Sequence, residues 1–382
     1  MASPKLRFKE FEADWTLQNL SDSFSLISGY AFPSSASTDS GAKWLKIADV
    51  GIQEMTPNNP SYLPLEYLDK YSQFVVNKDD YVIALTRPIL NKKLKIAKIG
   101  NFYDGALLNQ RVAKISSRSN NLDFIYSLLQ KSKTVEELEN SIAGTDPPNL
   151  SLNDVKEIKL GFPSKEEQTK IASFLSAVDE KINLLTQKYE LLSQYKQGLM
   201  QKLFSQQIRF KADDGREFGE WENLKFRDVI TIKYGKDHKA LKEGNIPVLG
   251  TGGIMRYVDS YLYDGDSILI GRKGTIDKPQ FISGKFWTVD TLFYTEIGER
   301  LIPKFVYQQL LLVNWLNLNE ATGVPSLNTT SIGNIEVKVP CLEEQTKIAN
   351  FLSAIDQKIA GVAQQIEQAK QWKKGLLQQM FV

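Results

Sequence analysis

Two stretches of the chain carry cations with almost nothing to balance them. Between Tyr81 and Leu122 the only acid is Asp104, set against Arg87, Lys92, Lys93, Lys95, Lys98, Arg111, Lys114 and Arg118. In the second half Arg272, Lys273, Lys278 and Lys285 surround one acid, Asp277, with Arg256, Tyr257 and Trp287 close in sequence. Asn91, Asn109, Gln110 and Gln280 lie among these cations. Lysine and arginine hold phosphates, while arginine and amide side chains read base edges in the major groove. The candidate DNA-contacting residues are therefore Arg87, Lys92, Lys93, Lys95, Asn109, Gln110, Arg111, Lys114, Arg256, Arg272, Lys273, Lys278 and Lys285. A solvated basic face is the ordinary alternative for such runs. Formal net charge is only +2, so whole-chain charge favours neither reading.

Patterns that would suit catalysis are incomplete. Asp146-Pro147-Pro148-Asn149 resembles the loop of an amino-methyltransferase but has asparagine where an aromatic would stack on a flipped base. Leu249-Gly250-Thr251-Gly252-Gly253 lacks the spacing and downstream acid of a dinucleotide loop. Together they leave a self-contained methyltransferase using S-adenosylmethionine as the alternative function. Glu157-Ile158-Lys159 and Glu336-Val337-Lys338 have a nuclease-like spacing, yet alternation of this kind is ordinarily the exposed face of a strand. His238 is the single histidine and Cys341 the single cysteine, which rules out a multi-histidine metal site, a cysteine-based zinc cluster and an internal disulfide. The chain has no phosphate-binding GxxxxGK[ST] loop. Its opening lacks an apolar leader, and no run approaches a membrane span, so a cytoplasmic protein with no membrane contact is expected.

The elements that must position the basic clusters are written twice. Residues 166–182 and 343–359 agree at 14 of 17 positions, and 195–204 echoes 372–381. Openings at residues 6–15 and 208–221 echo one another as well, through LRFK/IRFK and a following Trp15 or Trp221. The chain is thus a tandem duplication, A–B–A–B, and the repeat dictates the architecture.

Block B has a seam spaced 4, 3, 4, 3. It runs through Ile171, Leu175, Val178, Ile182, Leu185, Tyr189, Leu192, Lys196, Leu199 and Leu203 in the first copy, and Ile348, Leu352, Ile355, Ile359, Val362, Ile366, Ala369, Lys373, Leu376 and Met380 in the second. Such spacing sustained over about five heptads predicts a coiled-coil helix of roughly 60 Å. Lys196 and Lys373 interrupt the seam at matched places, and a polar seam residue fixes register. Because the chain builds a whole domain between the two helices, an antiparallel pair related by a pseudo-twofold is expected. Ser164 with Glu167 suggests a capping box, whereas Cys341 replaces the serine in the second copy. Gly198 and Gly375 suggest close packing or a bend.

Block A has drifted: Trp15 to Glu166 spans 151 residues and Trp221 to Glu343 spans 122. Fragments still align. Asp80 onward matches Asp266 onward, Phe124-Ile125-Tyr126 matches Phe305-Val306-Tyr307, and Leu150 onward matches Pro325 onward. Strands are expected at 246–249, 267–270, 288–294, 158–162 and 335–339. The fold class is α+β: two homologous domains (1–162 and 206–339), and two long antiparallel coiled-coil helices (163–205 and 340–382).

These residues together, above all P-x-x-EEQTKIA-x-FLSA-x-D-x-KI in both copies, resemble the specificity subunit of type I restriction–modification enzymes. The resemblance covers essentially the whole chain. It implies a non-catalytic, sequence-specific DNA-binding subunit whose two target-recognition domains each read half of a bipartite, asymmetric site. It implies that the helices set the spacer and dock two modification (methyltransferase) subunits, and that motor–nuclease restriction subunits join them. It implies no cofactor in this chain; S-adenosylmethionine, ATP and Mg belong to the partner subunits. The family has no universal base-contacting motif, so the DNA-contact residues rest on charge alone.

Overall fold

Each half of the chain opens with a strand that returns to pair with the strand just before its long helix. In the computed structural model, which describes residues 3–57, 59–142 and 146–382, Thr16–Asn19 runs antiparallel to Lys159–Phe162, and Glu222–Lys225 to Glu336–Val339. Between them each half builds two four-stranded sheets of the same order. One is Ser25–Ser28, Val112–Ser116, Tyr81–Ala84, Ile96–Lys98 in the first half, and Ile230–Tyr234, Leu292–Ile297, Ser267–Gly271, Gln280–Ile282 in the second. The other contains one parallel pair in each half, Ala42–Leu45 with Ala106–Leu108 and Glu243–Gly250 with Lys285–Thr288. The α+β class and the duplication are therefore present in the topology itself.

The long helices run Lys165–Phe204 and Leu342–Gln379. By contact density the chain forms two units. One comprises residues 1–185 with 365–382, the other 186–364. Each unit holds a globular block, the start of that block's own helix and the end of the other helix. In the first unit Glu167 lies beside Trp15, whose ring meets Phe381, while Asp179 meets Lys373; the two helical segments are antiparallel. In the second unit Glu344 lies beside Trp221, whose ring meets Phe204, while Asp356 meets Lys196, again antiparallel.

Seam burial is concentrated at the helix starts. Ile171, Leu175, Val178, Leu185, Ile348, Leu352, Ile355, Val362 and Leu376 are buried. Ile182, Leu192, Leu199, Ile359 and Ile366 are half-buried, and Tyr189 is exposed. Ile171, Leu175 and Val178 join one core with Trp15, Phe124 and Leu376, so the seam packs on its own globular block as well as on a helix. Met200, Leu203, Trp221, Phe305, Ile348 and Leu352 do the same in the second unit. Burying such side chains is worth about 1.5–3 kcal/mol each, which explains why B tolerates little drift.

Four sequence expectations need correction. The capping box is half formed: Ser164 accepts from the Glu167 amide at 3.3 Å, but the Glu167 carboxylate points inward and takes Arg7 at 2.7 and 2.8 Å and the Trp15 indole at 3.3 Å. A buried anion is stable only when paired, and Arg7 outcompetes a backbone amide for it. The run 288–294 is two strands broken by a turn at Val289, Asp290 and Thr291. Gly271, placed opposite Leu85 by sequence likeness, is structurally equivalent to Ala84, because Ala84 pairs with Val112 as Gly271 pairs with Leu292. Leu150 corresponds to Leu327, not Pro325: their amides donate to Leu85 and Arg272 carbonyls. Both strands are buried on both faces, so no alternation marks their register. A Cβ at Gly198 or Gly375 would meet nothing within 4 Å, so neither glycine marks a close approach.

Candidate nucleic-acid interface

Four segments converge at one end of a sheet in each unit. In the first, the Tyr30 amide donates to the Leu108 carbonyl at 3.0 Å, Gln110 to Tyr30 at 3.0 Å, Leu85 to Arg111 at 2.9 Å, and Arg87 to Pro148 at 2.7 Å. In the second, Lys236 donates to Thr288 at 2.8 Å, Arg272 to Thr291 at 2.8 Å, and Gly274 to Pro325 at 2.9 Å. Three of the bonds repeat, placing Tyr30 where Lys236 stands, Gln110 where Asp290 stands, and Arg111 where Thr291 stands; the Lys236 carbonyl accepts from the Trp287 indole at 2.9 Å, where the Tyr30 carbonyl accepts from Gln110. Gly29 and Gly235 make this possible. A Cβ there would lie 2.1 Å from the Leu108 carbonyl oxygen and 1.9 Å from that of Val289. The backbone is one scaffold; the presented side chains differ.

The predicted contact residues divide around this scaffold. Arg87, Gln110 and Arg111 are exposed and share this end with half-buried Asn109, whose side chain braces the Arg111 amide at 3.1 Å. Lys92 and Lys93 project from a two-residue hairpin between Ile89–Leu90 and Lys93–Leu94. Asn91 and Lys92 both have positive φ, 51° and 60°, the geometry such a tight turn demands. Lys92 meets Glu139 at 3.0 Å across an exposed surface. Lys95 and Lys114 turn inward instead. Burial pushes the Lys95 ammonium below its usual value, and it donates to the Ile47 carbonyl at 3.0 Å. Lys114 forms a largely buried ion pair with Asp80 at 2.6 Å.

In the second unit Arg272 donates to the Asp290 carbonyl at 3.1 Å and lies 5.6 Å from the Tyr234 ring centroid, while Lys273 is exposed beside it. Half-buried Arg256 donates to the Leu241 carbonyl at 3.0 Å. Lys278 and Lys285 are exposed, and Lys285 sits over Tyr261 at 4.8 Å. A concavity beside the turn is lined by Asp237, His238, Lys239, Thr251, Met255 and Asp290. Half-buried His238 has a buried Nδ1 without a partner among the described residues. Charge counting passed over Tyr30, Lys236 and Asp290. The matched glycines before Tyr30 and Lys236 were the available signal.

The catalytic alternatives lose their residues to structure. Asn149 accepts from the Thr86 hydroxyl at 2.7 Å and donates to the Pro147 carbonyl at 2.9 Å, so the DPPN segment braces the Arg87 loop. Among the described residues no group of three His, Cys, Asp or Glu could hold a metal ion. No helix among them is long and apolar enough to cross a membrane.

A duplicated α+β scaffold that offers two different sets of polar side chains from one loop geometry defines a class of paired recognition proteins. The chain belongs to the family of the type I restriction modification DNA specificity domain, whose model matches residues 12–194 and 219–371. The methyltransferase alternative is set aside by that match. The MjaVIII type I restriction enzyme specificity subunit of Methanocaldococcus jannaschii is 32% identical over 209 residues, 54% of this chain and 49% of that one. The EcoAI specificity subunit of Escherichia coli is 25% identical over 178 residues, 46% of this chain and 30% of that one. The chain thus spans about half or less of the length of these relatives. The crystal structure of the S subunit of a type I restriction–modification system from M. genitalium shares the fold, with a TM-score of 0.68 and 19% identity, covering 100% of this chain and 99% of that one.

Proposed function

We propose that this chain is the non-catalytic, sequence-specific DNA-binding subunit of a type I restriction–modification complex. The observation that carries the reading is the doubled loop scaffold, which holds its backbone constant and varies what it presents. Each globular block reads one half of a bipartite, asymmetric site in double-stranded DNA, and the long helices set the spacer between the halves. Two modification (methyltransferase) subunits dock on the chain, and motor–nuclease subunits join the assembly. S-adenosylmethionine, ATP and Mg act in those partners, and the complex works in the cytoplasm. Exposed Arg87, Lys92, Lys93, Arg111, Lys273, Lys278 and Lys285 hold phosphates or bases, while Lys95, Lys114 and Arg256 support the loops that carry them.

The test is nuclease protection by the full chain assembled with its modification subunits. A two-part footprint with a constant gap is expected. Four residues inserted into one long helix, a stutter in the heptads, should change the permitted gap or the assembly. An unchanged gap in the insertion variant would end the spacer role, and a uniform, sequence-independent footprint would end the recognition role.

A further inference from the structure

Gln110 and Asp290 occupy one position of the repeated scaffold and differ in hydrogen-bonding character, the first a donor and acceptor, the second an acceptor alone. Resting on the DNA-recognition reading above, we infer that they are paired specificity-determining residues, with Gln110 reading an adenine and Asp290 a cytosine.

Their equivalence follows from the surrounding bonds. Two residues before each, Leu108 and Thr288 accept from the Tyr30 and Lys236 amides. One residue before, Asn109 and Val289 have amides that donate to Leu45 and Leu249, and carbonyls that accept from Val112 and Leu292. One residue after, Arg111 and Thr291 accept from Leu85 and Arg272. Both turns are braced independently. Asn109 caps the Arg111 amide in the first unit, and the Arg272 guanidinium holds the Asp290 carbonyl in the second. Gln110 and Asp290 are themselves exposed, and among the described residues neither side chain has a hydrogen-bond partner. A rigid backbone with one free polar side chain at its tip is preorganised for a ligand.

The chemistry then separates the two halves. A glutamine amide offers a donor and an acceptor, matching adenine N7 and N6 in the major groove. A carboxylate only accepts, so it matches the cytosine N4 amine and is repelled by the acceptors of guanine and by phosphate. Lys236, Lys239, Arg272 and Lys273 lie around the Asp290 turn in the scaffold, so the site retains cations for the backbone while the acid selects a base.

The experiment selects duplexes with a randomised core on the full chain assembled with its modification subunits, as wild type, Gln110→Glu and Asp290→Asn. Wild type should enrich a split sequence. Gln110→Glu should move one adenine to cytosine in one half only, and Asp290→Asn one cytosine to adenine in the other half only. Each change in preference should be roughly 5- to 150-fold. Unmoved base preferences in both variants, or both changes falling in the same half, would overturn the assignment while leaving DNA recognition intact. A wild-type selection with no split sequence would overturn both. Both side chains are exposed, so unchanged thermal transitions in the two variants separate a reading role from damage to the fold.

Discussion

Lys373, near the end of the second long helix, holds Asp179, near the start of the first, at 2.6 Å; the lysine side chain is 8% exposed and the aspartate 34%. Lys196 and Asp356 repeat the pair at 2.6 Å in the other unit. The lysines that break the hydrophobic seam thus have defined anionic partners, and Lys373 also donates to Gln130 at 2.9 Å. Lys373→Met should destabilise the first unit by about 1–3 kcal/mol, below the fully buried case because Asp179 is partly solvated. Adding Asp179→Leu should recover most of that loss. Urea unfolding of the two singles and the double gives the coupling energy directly; a coupling near zero would show that the pair does not fix register.

Glu167 is the anion around which the first globular block closes on its helix. Its side chain is 2% exposed and pairs with Arg7 of the segment before the first strand at 2.7 Å. Glu167→Gln should cost about 3 kcal/mol by leaving the partly buried Arg7 guanidinium half paired, whereas Glu166→Gln, exposed one residue earlier, should leave the denaturant midpoint close to wild type. Glu344→Gln should match the larger loss in the second unit, since Arg209 and Trp221 reach Glu344 at 2.7 and 3.0 Å. Denaturant midpoints of the three variants decide it.

Salt dependence of DNA binding should sort the lysines by where they point. Lys93→Gln and Arg111→Gln should each lower the slope of log K against log salt by about 1, the signature of a lost phosphate contact. Lys95→Gln and Lys114→Gln should leave the slope near the wild-type value and lower thermal stability instead. Equal slopes for all four would show that the exposed cations do not face the duplex.

Gly29 and Gly235 admit no side chain, because backbone carbonyls occupy the space a Cβ would take. Gly29→Ala should displace the turn bearing Gln110 and cost about 1–3 kcal/mol or more. Gly235→Ala should do the same to the turn bearing Asp290. By contrast, Gly198→Ala, with open space around it, should stabilise its helix by up to about 1 kcal/mol. Thermal melts of the three variants test the contrast.

Burial raises the Asp49 carboxyl above its ordinary value, against the opposing pull of the Lys46 amide at 2.7 Å. A carboxyl raised in the folded state binds its proton more tightly there than in the unfolded chain. Its contribution therefore favours the fold below the unfolded value of 3.8 and is lost as pH rises through the folded value. Asp49→Asn, which can still accept from Lys46, should gain stability relative to wild type as pH rises from 3.8 through the raised folded value. A stability difference that does not change over that window would contradict the raised value.

The helices and the duplication were legible because periodicity and near-identity survive translation into a string of letters. Heptads marked one seam from Ile171 and a second from Ile348, and the match of residues 166–182 to 343–359 revealed two copies. The roles of Glu167 and Gln168 were not legible. Gln168 bonds the Asn121 amide and the Asn120 side chain, partners nearly 50 residues away, as Gln345 bonds Ile302 and Arg300. The basic clusters were visible as composition, yet nothing in their spacing distinguished Lys93, which is exposed, from Lys95, which is tied to Ile47.

By itself the sequence determined how many times the design is used, which segments are long helices, and where a polar residue interrupts their seam. These are local or repeated properties, set by periods of 3.5 residues and by direct likeness. The tertiary structure alone decided that Gln110 and Asp290 are the same position, that Lys373 answers Asp179, and that each unit takes the end of its helical pair from the distant copy. Cross-strand hydrogen bonds and buried ion pairs join residues remote in the chain, and their register depends on geometry that no local pattern of side chains encodes.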